Sequence, residues 1–337
     1  MSEKQNIRSL SKEELTTLFV EKGEKAFRAK QVYEWLWKKG VTSFDEMTNL
    51  SFDLREMLKE NFVFNAVDVA EKQVSSDRTI KNAFRLYDGK ITEGVLIPTP
   101  NRMTACISSQ VGCSLSCAFC ATGKLARLRN IDAEEIFDQV VLIKNQAEEH
   151  YQSPLSNIVY MGMGEPLLNY KNVLRSIEMI TSSEGLGMSP KRITVSTAGI
   201  AKMIKQLGDD EVKFNLAISL HAATDAKRSK IMPINDSNTL EALSEALIYF
   251  HEKTGSRVTF EYIIFKDFND SLEDAKNLAT FAKIVPCKIN IIEYNTIDDV
   301  EFLKADPEQT DKFAAFLENT FNLIVNVRRS RGKDIDA

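Results

Sequence analysis

Apolar positions in the first sixty-odd residues recur every three to four places, the spacing of helical stripes. Ser11 and Glu14 stand as a capping box, followed by apolar Leu15, Leu18 and Phe19. A second helix is predicted over residues 26–39, stopped by Gly40. Its Trp35 and Trp37 are read as core packing rather than as base-stacking platforms. Residues 66–98 change character. FRLY-DG-KITEGVLIP carries Asp-Gly between two strand-like runs, the signature of a tight hairpin. Pro98 and Pro100 then punctuate the chain, and a domain boundary is expected there.

Beyond residue 104 the pattern alternates between strand and helix. Strands are predicted at 104–108, 157–161, 192–196, 214–219, 258–265 and 288–294, with a further one at 323–328. The clearest helix is 132–150, with Asp132 as cap, Glu135 completing the box and Ile131 against Ile136 as a staple. Six β/α repeats predict an α/β fold with a parallel sheet, open or curled into part of a barrel. Chemistry in such folds gathers at the carboxyl ends of the strands. A cysteine cluster follows the first strand and 162-GMGEP-166 the second; Ser196-Thr197, 219-SLH-221 and Glu293-Tyr294-Asn295 end later ones.

Composition narrows this picture. The chain of 337 residues is 43% hydrophobic, enough for a large core, and its formal net charge is -5. Global charge gives no support for a nucleic-acid partner. Two basic stretches stand out, 124-KLARLR-129 and 328-RRSRGK-333, which on charge alone read as solvated faces. No apolar run could span a bilayer, the start is no signal peptide, and a cytoplasmic protein is expected. Thiols stay reduced there, so clustered cysteines read as ligands or catalysts.

Four of the five cysteines fall in 106-CISSQVGCSLSCAFC-120, the last three spaced C-x3-C-x2-C. Soft thiolates favour iron–sulfur clusters, zinc or copper(I). Structural zinc takes four ligands, so a zinc site here would need Cys106 or His221 to complete it. A four-iron cluster held by three thiolates leaves one iron open to a substrate or cofactor. Phe119 and Gly123 suit a tight loop around such a group.

This motif after the first strand of a β/α unit resembles the radical S-adenosylmethionine (SAM) superfamily. The whole chain is similar to the RlmN-type adenine C2 methyltransferases of ribosomal and transfer RNA. The resemblance is carried by 105-ACISSQVGCSLSCAFCATG-123, 160-YMGMGEPLLNY-170, 191-KRITVSTAG-199, 219-SLHA-222, 293-EYN-295 and 327-VRRSRGKDIDA-337. It implies a partial (β/α)6 radical SAM barrel over residues 99–330, an N-terminal helical and β-hairpin accessory domain over 1–98 that binds RNA, and a short tail at 331–337. It further implies that Cys113, Cys117 and Cys120 ligate a [4Fe-4S] cluster. Gly164 and Glu165 would hold the amino end of SAM; Ser196, Ser219, Leu220, His221 and Asn295 would line the rest of its pocket. Taken alone, MGMG reads as a tight turn and His221 as a hydrogen-bonded strand-end histidine.

The chemistry explains why such parts are needed. Carbon 2 of adenine is electron-poor and its C–H bond is not acidic, so a radical route is required, with the hard step supplied by the cofactor. The family scheme uses two SAM molecules: one methylates a cysteine near the carboxyl terminus, and the other yields the radical that activates this methyl group. A second cysteine releases the product as a disulfide forms. Cys106 matches that resolving cysteine, and Glu93 matches a carboxylate assigned as proton acceptor. Alone, Cys106 reads as a small buried hydrophobe and Glu93 as an exposed hairpin residue. Cys287 has no family role and is expected in the core.

The family motif continues past the tail into Cys-Gly-x-Leu, which bears the methyl-carrying cysteine, whereas this sequence stops at Ala337. A truncation is expected, and a chain of these residues is expected to assemble a cluster without methylating RNA. The implied partners are 23S rRNA and tRNA, with flavodoxin or ferredoxin as electron donor; a monomer is expected. The target base would have to be unstacked to reach the pocket. Competing readings are a Cfr-type enzyme acting at carbon 8, a radical SAM enzyme acting on a small molecule, and a non-catalytic RNA-binding protein with structural zinc.

Overall fold

The computed structural model describes residues 4–297 and 300–337. In chain order the N-terminal part contains β1 (Gln5–Asn6), α1 (Lys12–Glu21), α2 (Ala26–Trp37), α3 (Phe52–Asn61) and β2 (Phe62–Val63). Then come β3 (Asp68–Val74), β4 (Ile80–Arg85), β5 (Ile91–Thr99) and β6 (Arg102–Cys106), followed by a small ribbon of β7 (Gln110–Val111) and β8 (Arg129–Asn130). The remainder alternates: α4 (Ala133–Tyr151), β9 (Asn157–Tyr160), α5 (Tyr170–Thr181), β10 (Ile193–Thr197), α6 (Ala201–Asp209) and β11 (Asn215–Ser219). It ends with α7 (Asp225–Ile231), α8 (Leu240–Thr254), β12 (Val258–Ile264), α9 (Leu272–Ala282), β13 (Cys287–Glu293), α10 (Pro307–Phe321) and β14 (Val325–Arg328). No helix among the described residues is long and apolar enough to cross a membrane.

The predicted start signals act as expected. Ser11 Oγ accepts from Glu14 N at 3.1 Å, and the Glu14 carboxylate accepts from Ser11 N at 2.7 Å. Glu135 likewise reaches back to Asp132 N at 3.1 Å, and Ile131 and Ile136 are both fully buried in the same core. Two unpaired N–H groups are satisfied at each box, which fixes where the helix begins.

One ten-stranded sheet organises the described residues, in the order β14-β13-β12-β11-β10-β9-β6-β5-β4-β3. From β6 to β14 every pairing is parallel, as the β/α alternation predicts. β3, β4 and β5 extend it as an antiparallel meander, with Gly89 at φ +79° in the predicted Asp-Gly hairpin. The sequence placed a break at Pro98 and Pro100, but the sheet runs through it. Pro98 pairs with Met103 across the β5–β6 turn. The proline is tolerated because β4 pairs with β5 only as far as Leu96, which leaves that side of Pro98 without a ladder to supply.

Strand residues alternate between two faces. Ala105, Ile107, Ile158, Val195, Leu216 and Ile289 are fully buried and belong to the main core. Their neighbours Cys106, Val159, Ser196, Ser219, Glu261 and Asn290 point to the opposite, inner face, which is far more polar.

Two further contacts close the molecule. The helical N-terminal part docks on α4 through Trp37, whose ring meets Phe137 edge-on at 5.1 Å. Trp35 is half-buried and packs against the edge of the main core, its indole N–H donating to Asn49 and Lys39 lying over its ring. Beside it, fully buried Arg8 forks onto Asp138, which also accepts from Val67 N at 3.1 Å. At the other end, residues 329–337 bridge from the β14 edge to the β3–β4 turn. Asp334 accepts from Ser75 Oγ at 2.5 Å and Ser76 N at 2.9 Å, and Gly332 N donates to Asp77 at 3.0 Å. The second basic stretch is therefore partly committed within the fold: Arg329 pairs with Glu293 at 2.6 Å and Asp311 at 2.8 Å.

Asp138→Ala leaves a buried guanidinium uncompensated. Urea unfolding followed by circular dichroism is expected to show a loss of about 3–5 kcal/mol.

Candidate functional site

The inner-face ends of β6, β9, β10 and β11 meet two loops. One runs on from β6; the other is 162-GMGEP-166 after β9. They are sewn together through backbone groups. Gly162 N donates to Ile107 O at 3.0 Å, and Ser109 N and Gln110 N both donate to Met163 O, at 2.9 and 3.1 Å. Such close approach explains the glycines. A Cβ on Gly162 would lie 2.6 Å from Ser108 Oγ, and one on Gly164, whose φ is +94°, 2.4 Å from Gln110.

The cysteine loop is built on this platform. Cys113 N donates to Leu125 O at 3.2 Å, Cys120 N to Cys117 O at 3.1 Å, and Gly123 N to Cys120 O at 3.0 Å. Ala118 N donates to Ile231 O at 2.9 Å, which docks the loop on α7. Leu115, Cys117 and Phe119 pack on a separate apolar cluster of Ala198, Ala222, Ile231, Met232, Phe265 and Tyr294. Phe119 meets the His221 ring edge-on at 4.8 Å.

All four cysteines of the motif are free and half-buried. Burial, then the neighbouring Cys120 and Cys113, push the Cys117 thiol up to about 12. Burial also raises Cys113, with Cys120 adding to the shift. Cys120 thus acts on both Cys113 and Cys117, which puts the three thiols within electrostatic reach, although among the described residues no three metal-binding side chains already stand in a ligating arrangement. Three soft sulfurs in one loop, with Cys113 and Cys117 raised, fit a cationic iron–sulfur group, which supplies the missing positive charge. Cys106 stands apart. Burial pushes it up to about 12, the Met161 backbone opposes this, and none of the other three thiols acts on it.

The other expected residues divide into those the structure gathers and those it does not. Ser196 Oγ and Ser219 Oγ face each other at 3.4 Å. Leu220 is fully buried, with its N–H on Glu261 O at 3.0 Å. His221 has φ +55° and is buried; Ile263 N donates to its Nδ1 at 3.1 Å, which leaves the proton on Nε2. Burial, then the Arg228 charge, hold its imidazole down at about 3. Glu93 and Cys106 lie on adjacent antiparallel strands, where Val95 stands opposite Cys106, so both point to the inner face. Glu93 is exposed and pairs with Lys81 Nζ at 3.3 Å; the same amine donates to Asp336 O at 2.8 Å. Asn295 follows β13 and is exposed. Cys287 lies half-buried at the opposite end of the strands, its thiol donating to Ala282 O at 3.1 Å.

The Glu165 carboxylate is held by the protein's own backbone. Its oxygens accept from Ala198 N at 2.7 Å and Leu167 N at 2.9 Å. Burial raises its pKa, and those two bonds with Thr197 oppose the shift. The carboxylate is turned inward and shapes the turn.

Asn269 and Arg228 went unnoticed in the sequence, and Glu293 was marked only as a strand-end residue. Asn269, fully buried, donates to His221 O at 2.7 Å and Ile263 O at 2.8 Å and accepts from Phe265 N at 2.7 Å. Glu293 gathers Arg329, Lys304 and Lys333; burial pulls the other way, yet those partners hold it at about 2. Arg228 is fully buried. Each owes its role to how the fold brings loops and strand ends together, which no sequence motif marks.

Residues 5–64 match the ribosomal RNA large subunit methyltransferase N-terminal domain family, and residues 107–279 match the radical SAM superfamily. A probable dual-specificity RNA methyltransferase RlmN from Cytophaga hutchinsonii is 61% identical, covering 99% of this chain and 91% of that protein. A protein of the same description from Staphylococcus aureus is 41% identical, covering 99% and 92%. The crystal structure of a radical SAM methyltransferase from Sphaerobacter thermophilus superposes with a TM-score of 0.93 at 35% identity, covering 99% of this chain and 97% of that one.

His221 is expected to stay neutral through the physiological range. Its value lies below the ordinary 6.5, so between those limits a proton binds the unfolded chain more readily. Its contribution to stability is complete above pH 6.5 and is lost as pH falls towards about 3. Ring ¹⁵N chemical shifts should show an Nε2–H tautomer that does not titrate between about pH 5 and 8.

Proposed function

The chain belongs to the RlmN family of radical SAM RNA methyltransferases, and from that premise we propose that it methylates carbon 2 of adenine in 23S rRNA and in tRNA. The observation that carries this reading is the division of four clustered thiols into three mutually interacting ones and one, Cys106, that shares a face with Glu93.

The family implies a [4Fe-4S] cluster and SAM. Cys113, Cys117 and Cys120 would hold the cluster, which supplies one-electron cleavage of SAM when bound. Gly164 and Glu165 would face the amino end of SAM. In this reading Glu165 acts by fixing the Leu167 and Ala198 N–H groups, so that the turn keeps its shape. Ser196, Ser219, Leu220, His221 and Asn295 would line the remainder, with His221 donating from Nε2. The neutral imidazole adds no positive charge beside a sulfonium.

Cys106 is assigned as the resolving thiol and Glu93 as the proton acceptor. Burial keeps Cys106 protonated at rest, which guards it against premature oxidation. Its disulfide partner in the family scheme is a cysteine of a Cys-Gly-x-Leu segment, which is not among the five cysteines of this sequence. Residues 1–98 are assigned to RNA recognition, 99–330 to the catalytic barrel and 331–337 to the tail. Flavodoxin or ferredoxin would deliver the electrons to a monomeric, cytoplasmic enzyme.

Residues 1–337, reconstituted anaerobically and given SAM and reductant, are expected to release 5′-deoxyadenosine yet leave RNA unmethylated. The same chain extended by a Cys-Gly-x-Leu tail should yield 2-methyladenosine on mass spectrometry of digested RNA. 8-Methyladenosine would instead support the Cfr-type reading. A colourless zinc protein would support the binding module, and methylation by residues 1–337 alone would contradict the role given to the tail.

A further inference from the structure

Arg228 lies on α7, fully buried beneath the cysteine loop. Its guanidinium donates to neutral groups: Nε to Leu220 O at 3.2 Å, Nη1 to Asn235 Oδ1 at 2.8 Å, and Nη2 to the Ala198 and Ser219 carbonyls at 2.5 and 3.3 Å. Asp225 reaches it through Asn235, whose amide donates to Asp225 Oδ1 at 2.8 Å. Fully buried Arg8 is different, for it forks directly onto Asp138. A buried cation without a carboxylate in contact is costly, and folds keep one where an anion offsets it.

The position of Arg228 identifies that anion. The helix bearing it receives the cysteine loop through Ala118 N and Ile231 O, and Cys117 shares its apolar cluster with Ile231 and Met232. The Arg228 charge acts on both Cys117 and His221. Three thiolates around an iron–sulfur cluster form an anionic assembly, and accepting one electron adds one further negative charge. A fixed cation in this low-dielectric setting favours the reduced form.

We propose that Arg228 is the built-in counter-charge of the thiolate-bound cluster, a positioning residue that makes the cluster easier to reduce. This rests on the cluster reading given above. The guanidinium does so while also pinning the carbonyl ends of β10 and β11, so charge and strand-end geometry are set by one side chain.

The test is a redox titration of the anaerobically reconstituted full chain, poised with dithionite and read by electron paramagnetic resonance of the one-electron-reduced cluster. Arg228→Gln removes the charge. The pair Asp225→Asn with Asn235→Asp keeps the net charge but moves a carboxylate into contact with the guanidinium. Both are expected to lower the reduction equilibrium constant tenfold or more, a negative shift of about 59 mV for one electron. Arg228→Lys should stay within about threefold of the unaltered chain, since it keeps the charge. An unchanged midpoint in the Asp225/Asn235 pair at full iron content overturns the proposal, whether or not Arg228→Gln folds. A lysine variant shifted as far as the glutamine one would assign the effect to lost carbonyl bonds and also overturns it. If the unaltered chain takes up no cluster, the cluster reading falls first and this proposal with it.

Discussion

Three thiols held together in a half-buried loop form the constraint on which the rest of the site depends. Burial and the neighbouring thiols oppose ionisation of Cys113 and Cys117, so the loop is suited to a group that brings its own positive charge. The surroundings serve this arrangement. Glycines at 162 and 164 let the β9 loop run against the β6 extension. Phe119 wedges the loop against His221, and α7 receives it through one backbone hydrogen bond. Arg228 then places a cation under sulfurs that would become anionic on loading.

The register of the sheet separates the fourth cysteine from the other three. Ala105 and Ile107 face the main core, so Cys106 between them must face inward. The antiparallel partner β5 places Glu93 on that same inner face, with its backbone carbonyl held by Ser108 Oγ at 2.6 Å. Had the sheet ended at Pro98, these two residues would have no fixed relation. Its continuation into the meander lets an accessory segment contribute to the inner face of the barrel. The strap at 329–337 closes the remaining side, and Lys81 touches both that strap and Glu93.

Much of the fold was legible because its signals are local. Capping boxes at Ser11 and Asp132, the Asp88-Gly89 hairpin and the alternating strands each depend on a few adjacent residues. The grouping of Cys113, Cys117 and Cys120 was legible because one loop carries all three. The inward turn of Glu165 was not, since its partner Ala198 lies a strand and a helix further on. Arg329 and Lys333 looked like solvated charge because Glu293, which engages them, is remote in sequence. Pro98 signalled a boundary by composition, whereas sheet pairing is set by neighbours that composition does not reveal.

Iron and acid-labile sulfide analysis of the anaerobically reconstituted chain, with Mössbauer spectroscopy, tests the central claim most directly. The account predicts about four irons and about four sulfides per chain, lost together when Cys113, Cys117 and Cys120 are replaced by alanine and retained when Cys106 is. One zinc per chain without sulfide, or loss of the cluster on replacing Cys106, would contradict it.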